Sequence, residues 1–200
     1  IIEYETDMLF KFDHFSLKIL LLHHSIASYA FYIKEYLVSN RLDEEKLRTA
    51  GLLPSSLYGE LKQGRCVEFE GRIYKPEAYL LDPLEGRSLI IAGDNSEPEI
   101  LGEYLDDLDL LVHECTYTQE VYDHLPVKIL HTTARDLGRS SQKHHIKNLI
   151  TTHISPRYRT AGKYTIKMIE EEIKENYRGN LWVAEDFKRY RLGRDGVSEF

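Results

Sequence analysis

The sequence has four short apolar runs that each lead into a histidine or an acidic residue. They are SLIIAGDN (88–95), LLVHECTY (110–117), PVKILHTT (126–133) and NLITTHISPRY (148–158). The residues at these ends that could do chemistry are Asp94, Glu114, His131 and His153. We expect each run to be a β-strand, and strands that end at one edge of a sheet bring their end residues together. Imidazoles and carboxylates bind zinc-type metals, so the pattern predicts a metal or catalytic site at that edge.

His24 is a further candidate ligand, because FSLKILLLHH (15–24) predicts a buried strand that ends in two histidines. A hydrolytic site with two metals needs a bridging carboxylate, with the metals about 3.5–4 Å apart. His24, Asp94 and His153 supply suitable groups, and Gly93 allows a sharp turn just before Asp94. From composition and spacing alone, a structural role for these histidines in the core is an equal alternative to metal binding.

Bulk composition restricts the class of protein. The chain has 200 residues, about one domain, and its formal net charge is −7, which disfavours a broad surface for nucleic acid but allows a local basic patch. No apolar run reaches about 18 residues and no secretory signal is visible, so we expect no membrane span. The two cysteines, Cys66 and Cys115, do not suggest a disulfide framework, which favours the cytoplasm.

The elements that must position these residues alternate between strand and helix after Leu84. Besides the runs above, strands are expected at 28–36 and 181–187, and helices near 97–105, 118–124, 132–145 and 162–179. From Ser39 to Leu81 the pattern loosens, and we interpret 39–81 as an inserted arm. Within it we expect a short helix (42–51), a turn-rich stretch (52–64) and a hairpin (65–76).

Seven motifs, from about Phe15 to Phe187, resemble in content and order those of the ribonuclease Z family. These enzymes are tRNA 3′-processing endonucleases of the metallo-β-lactamase superfamily. The motifs are LHHSIASYAFYI (22–33), LPSSLYGELKQG (53–64), AGDN (92–95), HECTY (113–117), HTT (131–133), THISPRY (152–158) and AEDF (184–187).

The resemblance implies a fold and an activity. The fold would be an α/β class αββα metallo-β-lactamase sandwich, with residues 1–200 as one partial domain, its C-terminal half, and 39–81 as a substrate-binding arm. The activity would be metal-dependent hydrolysis of precursor tRNA that leaves a 3′ hydroxyl. A homodimer in the cytoplasm would carry it out with two Zn²⁺ ions per complete site, and Mn²⁺ is the alternative metal.

The resemblance also implies roles for individual residues. His24, Asp94 and His153 would bind the metals, with Asp94 bridging them. His131 would donate a proton to the leaving 3′ oxygen or stabilise charge on the phosphoryl group. Glu114 would orient His131.

A second set of residues would contact the substrate. They are Thr132, Thr133, Arg157, Tyr58 and Lys62. The threonines begin a predicted helix, where backbone N–H groups favour a phosphate, but capping of that helix is an equal alternative. Arg157 belongs to a basic segment that could hold RNA backbone, and a solvated loop is the alternative.

The leading motif of the superfamily, His-x-His-x-Asp-His, is absent from the sequence. The pair Asp13-His14 has Leu9 and Lys11 at the required histidine positions, and Asp123-His124 has no histidine there either. We therefore expect the chain to be the C-terminal part of a longer protein, with weak metal binding and no efficient catalysis by itself. Asn95 also stands where the family usually has threonine, which alters the hydrogen bonds around the ligands.

Two other functions stay open at this point. One is another metallo-β-lactamase-fold hydrolase, such as an arylsulfatase or a cyclic-nucleotide phosphodiesterase, although the segment 52–64 argues against it. The other is a non-catalytic partner that binds RNA.

Overall fold

The computed structural model describes residues 7–159 and 161–200, so the first six residues and Thr160 of the predicted 1–200 domain lie outside it. The chain divides into two compact units, one formed by Ile1–Glu35 with Arg87–Phe200 and the other by Tyr36–Gly86. Among the described residues, no helix combines the length and the apolar character needed to cross a lipid bilayer.

The described residues form thirteen strands and five α-helices. In chain order the strands are β1 (Leu9–Lys11), β2 (Phe15–Leu21), β3 (Tyr29–Glu35), β4 (Arg41–Leu42), β5 (Val67–Phe69), β6 (Arg72–Tyr74), β7 (Leu80–Leu81), β8 (Ser88–Ala92), β9 (Leu110–Glu114), β10 (Asn148–Thr152), β11 (Asn180–Val183), β12 (Tyr190–Leu192) and β13 (Val197–Glu199). The helices are α1 (Glu44–Thr49), α2 (Leu57–Lys62), α3 (Gln119–Asp123), α4 (Ala134–Lys143) and α5 (Ile166–Asn176), with 3₁₀ helices at Pro76–Ala78 and Pro98–Leu105.

The larger unit is built on a seven-stranded sheet in the order β1-β2-β3-β8-β9-β10-β11. Strands β1, β2, β3 and β8 pair antiparallel, whereas β8, β9, β10 and β11 pair parallel. The carboxyl ends of the parallel strands therefore meet at one edge, as the sequence predicts. The α/β class is confirmed by this mixed sheet with its helices.

One of the four apolar runs does not form a strand. Residues 126–131 are irregular, and Val127 is 71% exposed. Pro126 has no N–H to give to a sheet ladder. The Tyr122 hydroxyl donates instead to the Ile129 carbonyl at 3.1 Å, which holds the run as a loop beside α3. The prediction of a strand leading into His131 is therefore wrong.

The predicted helices are present with shifted bounds. The segment near 97–105 is a 3₁₀ helix interrupted at Gly102, whose φ of 53° is left-handed. In α5, Ile169 and Ile173 are fully buried, whereas Ile166 is 38% exposed. Ile169 and Ile173 lie on the buried face of α5, which packs with α4 and one face of the sheet in a common core.

Helices α4 and α5 approach closely at Gly138. A Cβ added there would lie 2.8 Å from the Ile173 carbonyl oxygen and 3.3 Å from the Asn176 Cβ. We expect Gly138→Ala to destabilise the protein by about 1–3 kcal/mol, because overpacking outweighs the roughly 1 kcal/mol gained in helix propensity. The matched control, Gly59→Ala in α2, meets no atom within 4 Å and is expected to gain about 0.5–1 kcal/mol. Urea denaturation of both variants checks this, and stabilisation by Gly138→Ala would contradict it.

The smaller unit, Tyr36–Gly86, has a core of its own around Leu47, Leu52 and Leu61. Its β5–β6 hairpin turns at Glu70 and Gly71, both with positive φ, which confirms the predicted hairpin. The stretch 52–64, predicted to be turn-rich, contains helix α2. The predicted insertion 39–81 lies inside this unit, and its role as a substrate-binding arm stays a prediction.

Candidate metal centre

Three of the predicted site residues lie at or just after the carboxyl ends of parallel core strands. Asp94 follows β8 after Gly93, Glu114 is the last residue of β9, and His153 follows β10 directly. His24 lies in the turn between β2 and β3, and His131 lies just before α4.

Side chains from these five positions converge in two overlapping groups. The potential ligand atoms of His24, Asp94 and His131 lie within 4.8 Å of one another, and so do those of Glu114, His131 and His153. The Asp94 Oδ1 atom is 3.6 Å from His153 Nε2. The His131 ring is close to both other histidine rings. Its centroid lies 5.1 Å from the centroid of His24 and 5.2 Å from that of His153. The structure thus brings the three predicted ligands and the predicted proton donor together, although the role of each remains a prediction.

Glu114 is the buried acceptor at the base of this cluster. Its carboxylate is 1% exposed and accepts hydrogen bonds from His131 Nδ1 at 2.8 Å, from the Asn95 backbone N–H at 2.9 Å and from the Thr116 hydroxyl. A buried carboxylate is tolerated when donors satisfy it in this way. The bond to Nδ1 also leaves Nε2 of His131 as the nitrogen available to a ligand or substrate.

Thr116 orients His153 in the same manner. Its hydroxyl proton goes to Glu114, so the hydroxyl oxygen can accept from Nδ1–H of His153 at 3.1 Å. This leaves a lone pair on Nε2 of His153, the atom that faces Asp94. His153 also has a φ of 53°, a left-handed conformation that is strained for histidine and is common at functional sites. Sequence analysis missed Thr116, and its only signal was its place in HECTY.

The donor set fits a zinc-type metal. The Nδ1 atom of His24 is buried and has no hydrogen-bond partner among the described residues. Such an atom loses solvation without compensation unless a ligand reaches it. Neutral imidazoles and a carboxylate are the donors that zinc takes in hydrolytic sites.

Thr132 and Thr133 are both buried. The Thr132 hydroxyl donates to the Asn95 carbonyl, and the Thr133 hydroxyl accepts from the Asp136 N–H at 3.2 Å as the N-cap of α4. The capping alternative is therefore correct for Thr133, and the contact of these two residues with a substrate stays a prediction.

The remaining predicted substrate contacts differ in exposure. Arg157 is exposed, with its guanidinium 5.2 Å from the Tyr117 ring centroid. Lys62 is exposed at the end of α2. Tyr58 is instead 7% exposed in the core of the smaller unit, and its hydroxyl donates to the Leu52 carbonyl at 2.9 Å. The position of Tyr58 does not favour its predicted role, because a core side chain cannot reach an RNA.

Fold and site together define a protein with the metallo-β-lactamase fold. A metallo-β-lactamase fold protein of Bacillus subtilis superposes on the whole chain with a TM-score of 0.54, at 15% identity and over 55% of its own length. No family model matches the chain.

Curated relatives confirm the more specific resemblance. The chain is 36% identical over 186 residues to ribonuclease Z of Pseudomonas putida strain W619, a match that covers 92% of this chain and 58% of that protein. It is 33% identical over 192 residues to ribonuclease Z of Marinobacter nauticus, covering 94% of this chain and 59% of the relative. The chain is thus a homologue of part of ribonuclease Z and spans little more than half the length of these relatives.

Proposed function

We propose that this chain supplies part of the active site of an endoribonuclease that processes precursor tRNA. The reaction is hydrolysis of a phosphodiester bond, and it leaves a 3′ hydroxyl on the tRNA. The observation that supports this most is the convergence of Asp94 with His24, His131 and His153, in a chain that is 36% identical to a ribonuclease Z.

His24, Asp94 and His153 would hold the metal, which we propose to be zinc, with manganese as the alternative. A bound ion of this kind supplies Lewis acidity and neutralises charge on the phosphoryl oxygens. The rest of the ligand set would come from residues outside this sequence, because His-x-His-x-Asp-His is absent from it.

His131 would hold and move the proton. Its Nδ1–H is held by Glu114, so Nε2 is the atom that can deliver a proton to the leaving 3′ oxygen. Glu114 accepts the hydrogen bond from Nδ1 at 2.8 Å and so fixes the angle of the ring.

The partners follow from the same proposal. Precursor tRNA would be bound by exposed cations, of which Arg157 lies four residues after His153 and Lys62 lies in the unit 36–86. We propose that residues 39–81 within this unit serve as the substrate arm, that the protein works as a homodimer and that it acts in the cytoplasm.

Cleavage of precursor tRNA by the longest natural polypeptide that contains this sequence tests the proposal. The expected product is a tRNA cut at its 3′ border with a 3′ hydroxyl, formed only when Zn²⁺ or Mn²⁺ is present. Hydrolysis of aryl sulfates or cyclic nucleotides without tRNA cleavage would contradict it. RNA binding that needs no metal and leads to no cleavage would contradict it as well.

A further inference from the structure

Asn95 is fully buried, and both polar atoms of its side-chain amide have hydrogen-bond partners. Its Nδ2 atom lies 2.9 Å from His113 Nε2. Its Oδ1 atom accepts the backbone N–H groups of His23 at 3.1 Å and Glu97 at 3.3 Å. The amide therefore joins the ends of β2 and β9 to the loop after β8.

The orientation of this amide is determined by His113. The His113 Nδ1 atom is 2.7 Å from the Glu114 carbonyl oxygen, so Nδ1 carries the proton and Nε2 carries a lone pair. Burial lowers the pKa of His113, which keeps the ring neutral. Only a donor can satisfy Nε2, and Asn95 supplies that donor through Nδ2.

The main chain of Asn95 makes two more contacts with the metal centre. Its N–H donates to the Glu114 oxygen that also accepts from His131, and its carbonyl accepts the Thr132 hydroxyl. Asp94 precedes Asn95, and His24 follows His23. Asn95 is thus bonded to the direct neighbours of His24 and His131, namely His23 and Thr132, and it is itself the direct neighbour of Asp94.

We propose that Asn95 is a positioning residue, which holds Asp94 at a fixed place relative to His24 and His131. This inference rests on the proposed function for its effect on catalysis, but its effect on metal affinity can be measured separately. The amide acts through its neighbours and touches neither metal nor substrate.

The test compares Asn95→Ala with Asn148→Ala in the longest natural polypeptide that contains this sequence. Asn148 is a matched control, since it is 3% exposed, donates to the Asp109 carbonyl at 2.7 Å and accepts from Asn180 at 3.0 Å. It begins β10, at the end of the strand opposite to His153. Both variants remove a buried amide, and only one of them lies at the metal centre.

We expect Asn95→Ala to lower zinc affinity, and kcat for precursor tRNA, by about 10- to 100-fold with little change in KM. Asn148→Ala should lower the melting temperature about as much as Asn95→Ala does, because each removes a buried amide, but it should leave zinc affinity unchanged. Asn95→Thr should recover part of the affinity because its hydroxyl can donate to His113, and it provides the comparison if Asn95→Ala does not fold.

Equal zinc affinity in Asn95→Ala and Asn148→Ala would overturn the inference, as would no recovery by Asn95→Thr relative to Asn95→Ala. In ¹⁵N spectra of the histidine rings, His113 should hold its proton on Nδ1 in both proteins, because the Glu114 carbonyl accepts it, and its Nε2 resonance should shift in Asn95→Ala, where that atom loses its donor. A wild type that binds zinc in an Asn95-dependent way but cuts no precursor tRNA would support the positioning role and refute the proposed function.

Discussion

Asp94→Asn should lower the rate of precursor tRNA cleavage by roughly 10³-fold or more. The Asp94 carboxylate lies 3.6 Å from His153 Nε2, and its potential ligand atom lies within 4.8 Å of those of His24 and His131. Asparagine has the same shape but no charge to neutralise a cation, and an ion at such a site contributes several kcal/mol, each 1.36 kcal/mol being a factor of ten. Single-turnover cleavage and the zinc content per chain, both measured on the longest natural polypeptide that contains this sequence, check this.

Asp107→Asn is the matched control for this variant. Asp107 is exposed and has a φ of 54°, a conformation that asparagine tolerates well. Its replacement should leave both rate and zinc content unchanged. If Asp94→Asn retained the zinc and the rate of the wild type, Asp94 would have no role in the metal centre.

His131→Ala should lower the cleavage rate by about 10²- to 10⁴-fold, the usual contribution of a general acid. Because His131 is proposed to move a proton, the bound zinc should stay close to the wild-type amount. His124→Ala serves as the control, since His124 is exposed at the end of α3 and bonds only to the Glu120 carbonyl among the described residues. Rapid-quench measurements under saturating enzyme report the rate of the chemical step.

The zinc content decides between two roles for His131. If His131→Ala cleaves more slowly but binds as much zinc as the wild type, His131 acts as the proton donor. Loss of zinc together with rate would make His131 a ligand, which its place in the group with His24 and Asp94 allows geometrically.

The parallel core strands were predictable because most of their residues are buried, and in β9 and β10 both faces are covered. The runs that became β8, β9 and β10 are nearly continuous in aliphatic residues, and Leu111 and Leu149 are fully buried. The run before His131 is as apolar, but hydrophobicity alone cannot show whether a neighbouring strand is free to pair with it. The short strands β12 and β13 were missed, since three residues carry too little pattern.

The site residues that could be predicted are those at the end of a strand, because the end of an apolar run is visible in the sequence. Asp94, Glu114 and His153 could be inferred in this way because parallel strands end at the same edge. Thr116 could not, since its role depends on a hydroxyl placed between Glu114 and His153 by two different loops. The burial of Tyr58 could not be inferred, because a tyrosine in a core and one on a binding surface look alike in a sequence.

Anomalous diffraction at the zinc edge is the most direct test of the central claim. Crystals of the longest natural polypeptide that contains this sequence would be grown with zinc. We predict a peak about 2.0–2.2 Å from an Asp94 oxygen and from a ring nitrogen of His24 or His153. Zinc bound only at other residues, with no peak in contact with Asp94, would contradict the claim that these strand ends form a metal centre.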